Sequence, residues 1–449
     1  MKRSYPCLLV LIILFSGCSP RKEIVNPDNA LVHYLEKKDR TYSWELKETI
    51  KEEGFTIAIL RLVSQEWRGI RWIHQLTIIT PDDVSTDCAL LFIDGGSLKQ
   101  GEPKWKGADN DLTRMLAAIS FKNKAIVATI SQVPNQPLYE DLTEDELISF
   151  TLHNFRNDRD YTWPLLFPMT KSAVRAMDAV EEYANQINDH EINRFVVTGA
   201  SKRGWTTWLT GAFDKRVTAV APMVIDVLNM PVNLDYQKEV WGDYSVQIED
   251  YVKLGLAQDL SSPDGKDLAA MIDPYSYRRN LTMPKLIING TNDEYWPADA
   301  IKNYLDGLPG DHFLYYEPNA GHDLGGGAGA LNTLSAFFYN SAYGKKHPGC
   351  KWEVSFDSLR TNLLISTSEV AEMANLWICT SPDRDFRNDK FSSTEINTDD
   401  QSVLRLTVEH PGSGYKAFYI ELVFPGPAGS FFSQTTRMFV ADDDELYLY

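Results

Sequence analysis

The stretch RFVVTGASKRGW, residues 194–205, decides the fold. It opens with an apolar run typical of a buried strand, turns at Gly199-Ala200-Ser201, and continues into a helix-like run from residue 205 to residue 213. A sharp strand-turn-helix holds its central serine on an exposed, strained turn, as in a nucleophile elbow, and small flanking residues make room for it. We therefore predict Ser201 to be a nucleophile. The alternative is a serine that caps a helix on a structural turn.

Apolar runs with helical patterns between them surround this stretch. The runs are residues 89–93, 124–130, 194–197, 217–225, 285–288 and 312–316. A helix is predicted at about residues 171–188, where apolar side chains recur at helical spacing. Continuous apolar strands with helical crossovers indicate a mostly parallel sheet covered on both faces. Three earlier strand-like runs predict an antiparallel start to the sheet, at about residues 42–49, 56–64 and 71–80.

Two further segments have a sequence pattern different from that of the predicted sheet. Residues 227–283 contain helix-like pieces without a clear sheet strand, which indicates a helical insertion above the edge of the sheet. From about residue 346 to residue 449, short strands alternate with turn residues, which predicts a small all-β sandwich. The chain is thus expected to hold an α/β domain over residues 30–345 and a β-sandwich domain after it.

An acid and a histidine follow Ser201, each just beyond a predicted strand. These are Asp293 and His322. A hydroxyl nucleophile needs a general base, and that base needs an acid to orient it. The chain order serine, acid, histidine is that of α/β-hydrolases, in which the carboxyl ends of parallel strands carry the site. We therefore predict an α/β-hydrolase fold with Ser201, Asp293 and His322 as a catalytic triad. Glu294 and Asp226 remain alternative acids.

The tetrahedral intermediate of acyl transfer needs hydrogen-bond donors for its oxyanion. The peptide N–H of Lys202 directly follows the predicted nucleophile, where this fold supplies one donor. Gly95 and Gly96 follow the predicted strand at residues 89–93, where it supplies the other. These three residues are the predicted oxyanion hole. The glycine pair is also compatible with an ordinary tight turn.

Three side chains near the motif loops are candidates for substrate binding. Arg203 is able to bind a substrate carboxylate through two hydrogen bonds, or to form an ion pair within the fold instead. Trp205 and Trp296 are candidates for an apolar or carbohydrate platform, against plain packing in the core. The chain contains no Cys-x-x-Cys pattern, and we predict neither a metal site nor a cofactor.

The N-terminus has the pattern of an export signal. A short basic start and an apolar run over residues 8–15 are followed by small residues ending at Cys18. This looks like a bacterial lipoprotein signal with Cys18 as the lipidated residue, and a plain cleaved signal is the alternative. Residues 1–17 are the predicted signal peptide and residues 18–29 a tether. We expect an exported cell-envelope protein, lipid-anchored in the periplasm or at the outer membrane, that meets the membrane only through Cys18.

The composition restricts the class of partner. The chain carries 44 Lys+Arg and 62 Asp+Glu, a formal net charge of −18, which argues against nucleic acid as the main partner. Hydrophobic residues make up 43%, as is usual for a folded globular protein. The expected partner is a small-molecule or peptide substrate. Export would permit a disulfide between Cys350 and Cys379, and the sequence leaves that pairing open.

Five segments carry a resemblance to a known family. They are Tyr42-Ser43-Trp44, Ser64-Gln65-Glu66-Trp67, the run from Thr198 to Trp208, Asp273-Pro274-Tyr275-Ser276-Tyr277-Arg278, and the run from Pro284 to Glu294. In these segments the chain resembles the PhoPQ-activated pathogenicity-related protein family, from about residue 30 to the C-terminus. The resemblance implies an α/β-hydrolase domain followed by a small β domain, with Ser201, Asp293 and His322 where such a triad belongs. It implies no substrate. The Gly-x-Ser-x-x-Gly spacing is also similar to that of glucuronoyl esterases.

These patterns together predict an exported serine hydrolase. It would cleave an ester or amide bond through an acyl-enzyme on Ser201, with esters favoured. A peptidase acting on short peptides is the alternative within enzymes. A non-catalytic binding protein on a hydrolase scaffold is the alternative outside them.

Overall fold

The computed structural model describes residues 24–188, 190–398 and 401–449. The predicted signal peptide and Cys18 lie outside the described residues. Within these ranges, no helix combines the length and the apolar character that a membrane span requires.

The strands of the α/β region form one large sheet and a small hairpin. Their bounds are β1 (Ser43–Glu52), β2 (Phe55–Trp67), β3 (Ile70–Pro81), β4 (Cys88–Ile93), β5 (Leu98–Lys99), β6 (Glu102–Pro103), β7 (Val127–Ile130), β8 (Arg194–Ala200), β9 (Val217–Met223), β10 (Lys285–Gly290) and β11 (His312–Glu317). The sheet order is β1-β2-β3-β7-β4-β8-β9-β10-β11, while β5 and β6 pair only with each other. From β1 to β7 the neighbours are antiparallel, and from β7 to β11 they are parallel. The predicted antiparallel start and parallel continuation are confirmed.

Helices cover both faces of this sheet. Their bounds are α1 (Ala30–Glu36), α2 (Asp111–Asn123), α3 (Glu144–Asp158), α4 (Leu166–Asn188), α5 (Lys202–Phe213), α6 (Met230–Trp241), α7 (Glu249–Lys253), α8 (Pro263–Ile272) and α9 (Ala328–Ala342). Successive residues of β4 point to opposite faces. Leu91 accordingly lies in the apolar cluster that contains residues of α4 and α5, while Leu90 lies in the cluster of α2 and α9. Both faces are therefore buried, which explains why β4 is apolar throughout.

The insertion between β9 and β10 carries α6, α7 and α8. We call residues 227–283 the cap. Asp273 ties its two ends together, because its carboxylate accepts hydrogen bonds from the N–H groups of Met230 and Tyr275. Burial raises the pKa of Asp273 to about 6. The two ends of the cap are therefore held together where the cap joins the carboxyl edge of the sheet.

The C-terminal β region forms two layers. Its strands are β12 (Cys350–Phe356), β13 (Arg360–Thr367), β14 (Met373–Ser381), β15 (Ser392–Ile396), β16 (Val403–Glu409), β17 (Tyr415–Pro425), β18 (Phe431–Thr435) and β19 (Phe439–Ala441). One layer is β12-β13-β16, and an apolar cluster that includes Ile365 and Phe418 fills the space between it and the other layer. The second layer, which contains β14, β15, β17 and β18, continues the central sheet through the pairing of Leu314 with Thr435. Cys350 and Cys379 are free thiols in this structure.

Candidate active site

Ser201 lies at the turn between β8 and α5, as the sequence predicts. Its backbone has φ 57° and ψ −124°, a sparsely populated conformation for a residue with a side chain. The Ser201 N–H donates to the carbonyl of Met223 on the neighbouring strand, at 2.9 Å. The surrounding strands thus hold the turn in its strained form, as in a nucleophile elbow.

Gly199 and Gly204 are required by close backbone packing at this turn. A Cβ at Gly199 would lie 2.9 Å from backbone atoms of Arg203. A Cβ at Gly204 would lie 2.8 Å from the carbonyl oxygen of Met223 and 3.0 Å from that of Gly199. These contacts are shorter than a side chain tolerates, so the small residues of the motif have a steric cause.

Asp293 and His322 meet at the same edge of the sheet. Asp293 follows β10 and His322 follows β11, and Nδ1 of the imidazole lies 2.9 Å from Oδ2 and 3.1 Å from Oδ1 of the carboxylate. The N–H of Tyr295 donates to Oδ1 at 2.8 Å and fixes the carboxylate further. Burial raises the pKa of Asp293, and the hydrogen bond with His322 opposes that rise. The Tyr295 ring stacks on the imidazole with centroids 4.0 Å apart.

The two alternative acids have other partners. The carboxylate of Glu294 accepts a hydrogen bond from the backbone N–H of His322, at 3.0 Å, and so supports the loop rather than the ring. Asp226 is buried and accepts a hydrogen bond from the hydroxyl of Tyr304, at 2.5 Å. Asp293 is therefore the acid that the fold brings to the imidazole.

The other imidazole nitrogen, Nε2 of His322, is buried and has no hydrogen-bond partner among the described residues. No hydrogen bond therefore joins Ser201 to His322 in this structure. In unliganded enzymes, hydrogen bonds of this kind are often long and tighten only when substrate binds.

The three predicted oxyanion donors differ in their availability. The Gly95 N–H donates to the carboxylate of Asp94 at 2.8 Å, so it is engaged within its own loop. In the described part of the chain, the N–H groups of Gly96 and Lys202 donate to no protein acceptor. Gly96 has φ +124°, which a side chain rarely adopts, so glycine is needed there. Gly96 and Lys202 thus remain candidate oxyanion donors, whereas the N–H of Gly95 supports its own loop.

Of the two roles considered for Arg203, the structure shows the ion pair within the fold. Its Nη1 and Nη2 each lie 2.7 Å from an oxygen of Glu144, and its Nε donates to the carbonyl of Val133. Burial would raise the pKa of Glu144, but the hydrogen bonds and charge of Arg203 outweigh it and lower the pKa to about 2. The guanidinium packs behind Gly95, since a Cβ there would lie 2.7 Å from Nη2. The prediction that Arg203 binds a substrate carboxylate is not supported by this geometry.

An apolar cavity of about 80 Å³ opens beside Ser201. Trp205 and Trp296, the two predicted platform residues, line it, and Trp205 also donates its indole N–H to the carbonyl of Ile272. Lys202 lines the cavity too and is paired with Asp145 at 2.7 Å. The cap and α3 provide much of the remaining wall.

The residues of α3 that contact the turn at Ser201 were not predicted from the sequence. Glu144 and Asp145 pair with the two cations that follow Ser201. A signal for α3 was present: Thr143 precedes three acidic residues, and apolar side chains then recur at Leu147, Ile148, Leu152 and Phe155, one buried face of a helix.

A segment of the C-terminal β region, residues 385–391, was also missed. The amide of Asn292 donates to the carbonyls of Phe386 and Asp389, at 2.6 and 2.8 Å. Asn319 and Phe391 exchange two hydrogen bonds, at 2.7 and 3.1 Å. The 385–391 segment therefore holds the loop of Asp293 and the loop of His322 at once.

The sheet order, the strained serine after β8 and the acid and histidine after β10 and β11 define a protein of the α/β-hydrolase fold. The chain belongs to the PhoPQ-activated pathogenicity-related protein family, whose model matches residues 31–387. It is similar to autocrine proliferation repressor protein A of Dictyostelium discoideum, with 30% identity over 444 residues, covering 91% of this chain and 88% of that protein. The predicted family is confirmed.

Solved structures similar to this chain include several esterases. Acetyl xylan esterase 1 from a Thermoanaerobacterium species has 15% identity and a TM-score of 0.48, covering 70% of this chain and 93% of that one. An acetyl xylan esterase from a Paenibacillus species has 14% identity and a TM-score of 0.45, covering 67% of this chain and 91% of that one. A glucuronoyl esterase from Solibacter usitatus has 13% identity and a TM-score of 0.38, covering 66% of this chain and 88% of that one.

Proposed function

We propose that the protein is a serine hydrolase that cleaves carboxylic esters through an acyl-enzyme on Ser201. The observation that carries the proposal is that a strained serine after β8 and a hydrogen-bonded Asp293–His322 pair after β10 and β11 lie at the same carboxyl edge of one sheet. Strain at a single residue persists only where the surrounding structure maintains it, and such residues cluster at functional sites.

In the proposed mechanism, Ser201 Oγ attacks the ester carbonyl while Nε2 of His322 takes its proton. Asp293 keeps the other imidazole nitrogen protonated and stabilises the imidazolium that forms. The N–H groups of Gly96 and Lys202 bind the oxyanion, and Lys202 adds the positive end of the α5 dipole. His322 then returns the proton to the leaving alkoxide. Water activated by the same imidazole releases the acid and regenerates Ser201.

Esters rather than peptides are supported by the charges at the site. A carboxylate without an ion-pair partner beside the nucleophile would favour binding of the α-ammonium of a short peptide. Both carboxylates of α3 near Ser201 are already paired, Glu144 with Arg203 and Asp145 with Lys202. A peptidase acting on short peptides is therefore the weaker candidate.

The first experiment is covalent labelling of the chain without residues 1–17 by a fluorophosphonate, followed by intact mass and peptide mapping. We expect one adduct, on Ser201, that disappears in Ser201→Ala and in His322→Ala. Ser341→Ala is the control, because it removes a serine hydroxyl that lies beside a histidine, His347, away from the site. Absence of an adduct on protein that unfolds cooperatively would instead favour a non-catalytic binding protein.

We also propose that the protein is exported and anchored through a lipid on Cys18. The support is the signal pattern of the N-terminus alone. Fractionation of cells that express the full chain tests the anchor. We expect the protein in the membrane fraction and Cys18→Ser in the soluble fraction; equal partition of the two would exclude the lipid anchor.

A further inference from the structure

We propose that the cavity beside Ser201 binds a short, uncharged aliphatic chain attached to the ester group. This inference rests on the proposed hydrolase function and names its substrate class. The cavity lies between the carboxyl edge of the sheet and the cap, and Ser201 itself is part of its wall. A chain that enters it is therefore connected directly to the carbonyl that Ser201 attacks.

The wall of the cavity is almost entirely aliphatic and aromatic. Leu152 comes from α3, Ile225 follows β9, and Leu234, Leu268 and Ile272 come from the cap. All five side chains are buried. An apolar group that leaves water for such a wall is stabilised in proportion to the area it buries, at about 25 cal/mol per Å².

The charged groups of the wall already have partners. Lys202 Nζ lies 2.7 Å from Asp145, whose other oxygen accepts a hydrogen bond from the hydroxyl of Tyr251 at 2.9 Å. The two side chains are only 10% and 16% exposed, so the pair is largely shielded from water. A substrate carboxylate or ammonium in the cavity would lose its hydration and find no free counter-charge. The cavity therefore selects against charged chains.

The volume of the cavity limits the length of the chain. An apolar cavity of about 150 Å³ binds benzene, which has six carbon atoms. In the same proportion, the cavity of about 80 Å³ accommodates about three carbon atoms. A butyryl group, with three carbon atoms beyond its carbonyl, fits this volume and a butyl group is at its upper limit, whereas an octyl chain or a sugar ring exceeds it.

The test is the hydrolysis of p-nitrophenyl acetate, butyrate and octanoate, with ethyl, butyl and octyl acetates as the series for the alcohol side. We expect kcat/KM to peak at the four-carbon member of one series, which identifies the group that enters the cavity. Mono-p-nitrophenyl succinate has the same chain length as the butyrate but ends in a carboxylate, and we expect kcat/KM to be lower by roughly 100-fold.

Two substitutions of the wall change the volume in opposite directions. Ala257→Leu adds an isopropyl group to the cavity and is expected to lower the ratio of four-carbon to two-carbon activity by roughly tenfold. Leu268→Ala removes one and is expected to move the optimum to longer chains. Leu359→Phe, on an exposed side chain of the C-terminal β region, is the control and leaves the ratio unchanged.

The outcomes separate the inference from the proposed function. Labelling of Ser201 by a fluorophosphonate, together with a chain-length profile that neither cavity variant alters, would overturn the inference and leave the hydrolase in place. Equal hydrolysis of the succinate and butyrate esters would also overturn it. Absence of both labelling and hydrolysis in a folded protein would contradict the hydrolase function itself.

Discussion

His322 Nδ1 lies 2.9 Å from Oδ2 of Asp293, although the two residues belong to separate loops after β10 and β11. The parallel pairing of these strands places both loops at one edge of the sheet. Further hydrogen bonds join the loops, among them one from the Asn319 N–H to the hydroxyl of Thr291, at 2.8 Å. The pair is therefore a consequence of strand register and loop bonding together.

Loss of the Asp293 charge is expected to disable the imidazole without unfolding the protein. In Asp293→Asn the amide no longer holds the required tautomer, and kcat should fall by about 10⁴-fold. Glu294→Gln keeps an acceptor for the His322 N–H and should retain activity within about tenfold of the parent protein. Steady-state hydrolysis of p-nitrophenyl butyrate measures both. A larger loss in Glu294→Gln than in Asp293→Asn would reassign the acid.

The 385–391 segment is expected to position the catalytic loops. Asn292→Ala leaves two carbonyls of that segment without their donor, at a cost of about 1–3 kcal/mol in the free energy of unfolding. Because the same loop carries Asp293, we expect kcat to fall more than KM rises. Asn362→Ala in the C-terminal β region removes an exposed hydrogen bond with Thr407 and is the control. Equal kcat and KM values in the two variants would mean that the 385–391 segment contributes to stability and does not position the catalytic loops.

The ion pair of Glu144 with Arg203 is expected to make the free energy of unfolding depend on pH in the acidic range. The pKa of Glu144 is lowered to about 2 in the folded protein, from 4.5. The unfolded chain therefore binds the proton first, so the contribution to stability is present above pH 4.5 and is lost as the pH falls towards 2. In Glu144→Gln this acid-dependent part should disappear. Urea unfolding at pH 3 and pH 6 measures it, and an unchanged difference between the two pH values in the variant would exclude the effect.

Asp226 is expected to have the opposite effect. Burial raises its pKa to about 7 in the folded protein, from 3.8. The folded state then keeps a proton that the unfolded state releases, so the contribution of Asp226 to stability is greatest below pH 3.8 and is lost as the pH rises through 7. Asp226→Asn retains an acceptor for Tyr304 and should be more stable than the parent above pH 7, by at most about 4 kcal/mol. Thermal unfolding from pH 4 to pH 8 tests this. A parallel decline in the parent and the variant would count against it.

The packing of the elbow is expected to exclude even a methyl group. Gly204→Ala places a Cβ 2.8 Å from the Met223 carbonyl, so the elbow must shift. We expect a loss of about 1–3 kcal/mol in the free energy of unfolding and a larger loss of fluorophosphonate labelling. Gly412→Ala meets no atom within 4 Å and serves as the control. Normal labelling of Gly204→Ala would mean that the elbow tolerates the shift.

Much of the fold was predictable because its signals are local. The strand before Ser201, the helix after it and the small residues between them form one continuous stretch, and β10 and β11 are equally continuous. The helices α2 and α3 were not predicted, although α3 has an apolar face of regular spacing. The C-terminal region was predicted as a separate sandwich. Its connection to the central sheet depends on one pairing, Leu314 with Thr435, between distant parts of the chain.

The sequence by itself determined the order of Ser201, Asp293 and His322 and their positions after strands, because apolar periodicity and turn residues are properties of neighbouring residues. Only the tertiary structure decided which groups each of these elements meets. Arg203 forms an ion pair with Glu144, and the cap provides one wall of an apolar cavity beside Ser201. Such contacts depend on distance in space between segments far apart in the chain, and they arise only when the sheet and its helices pack together.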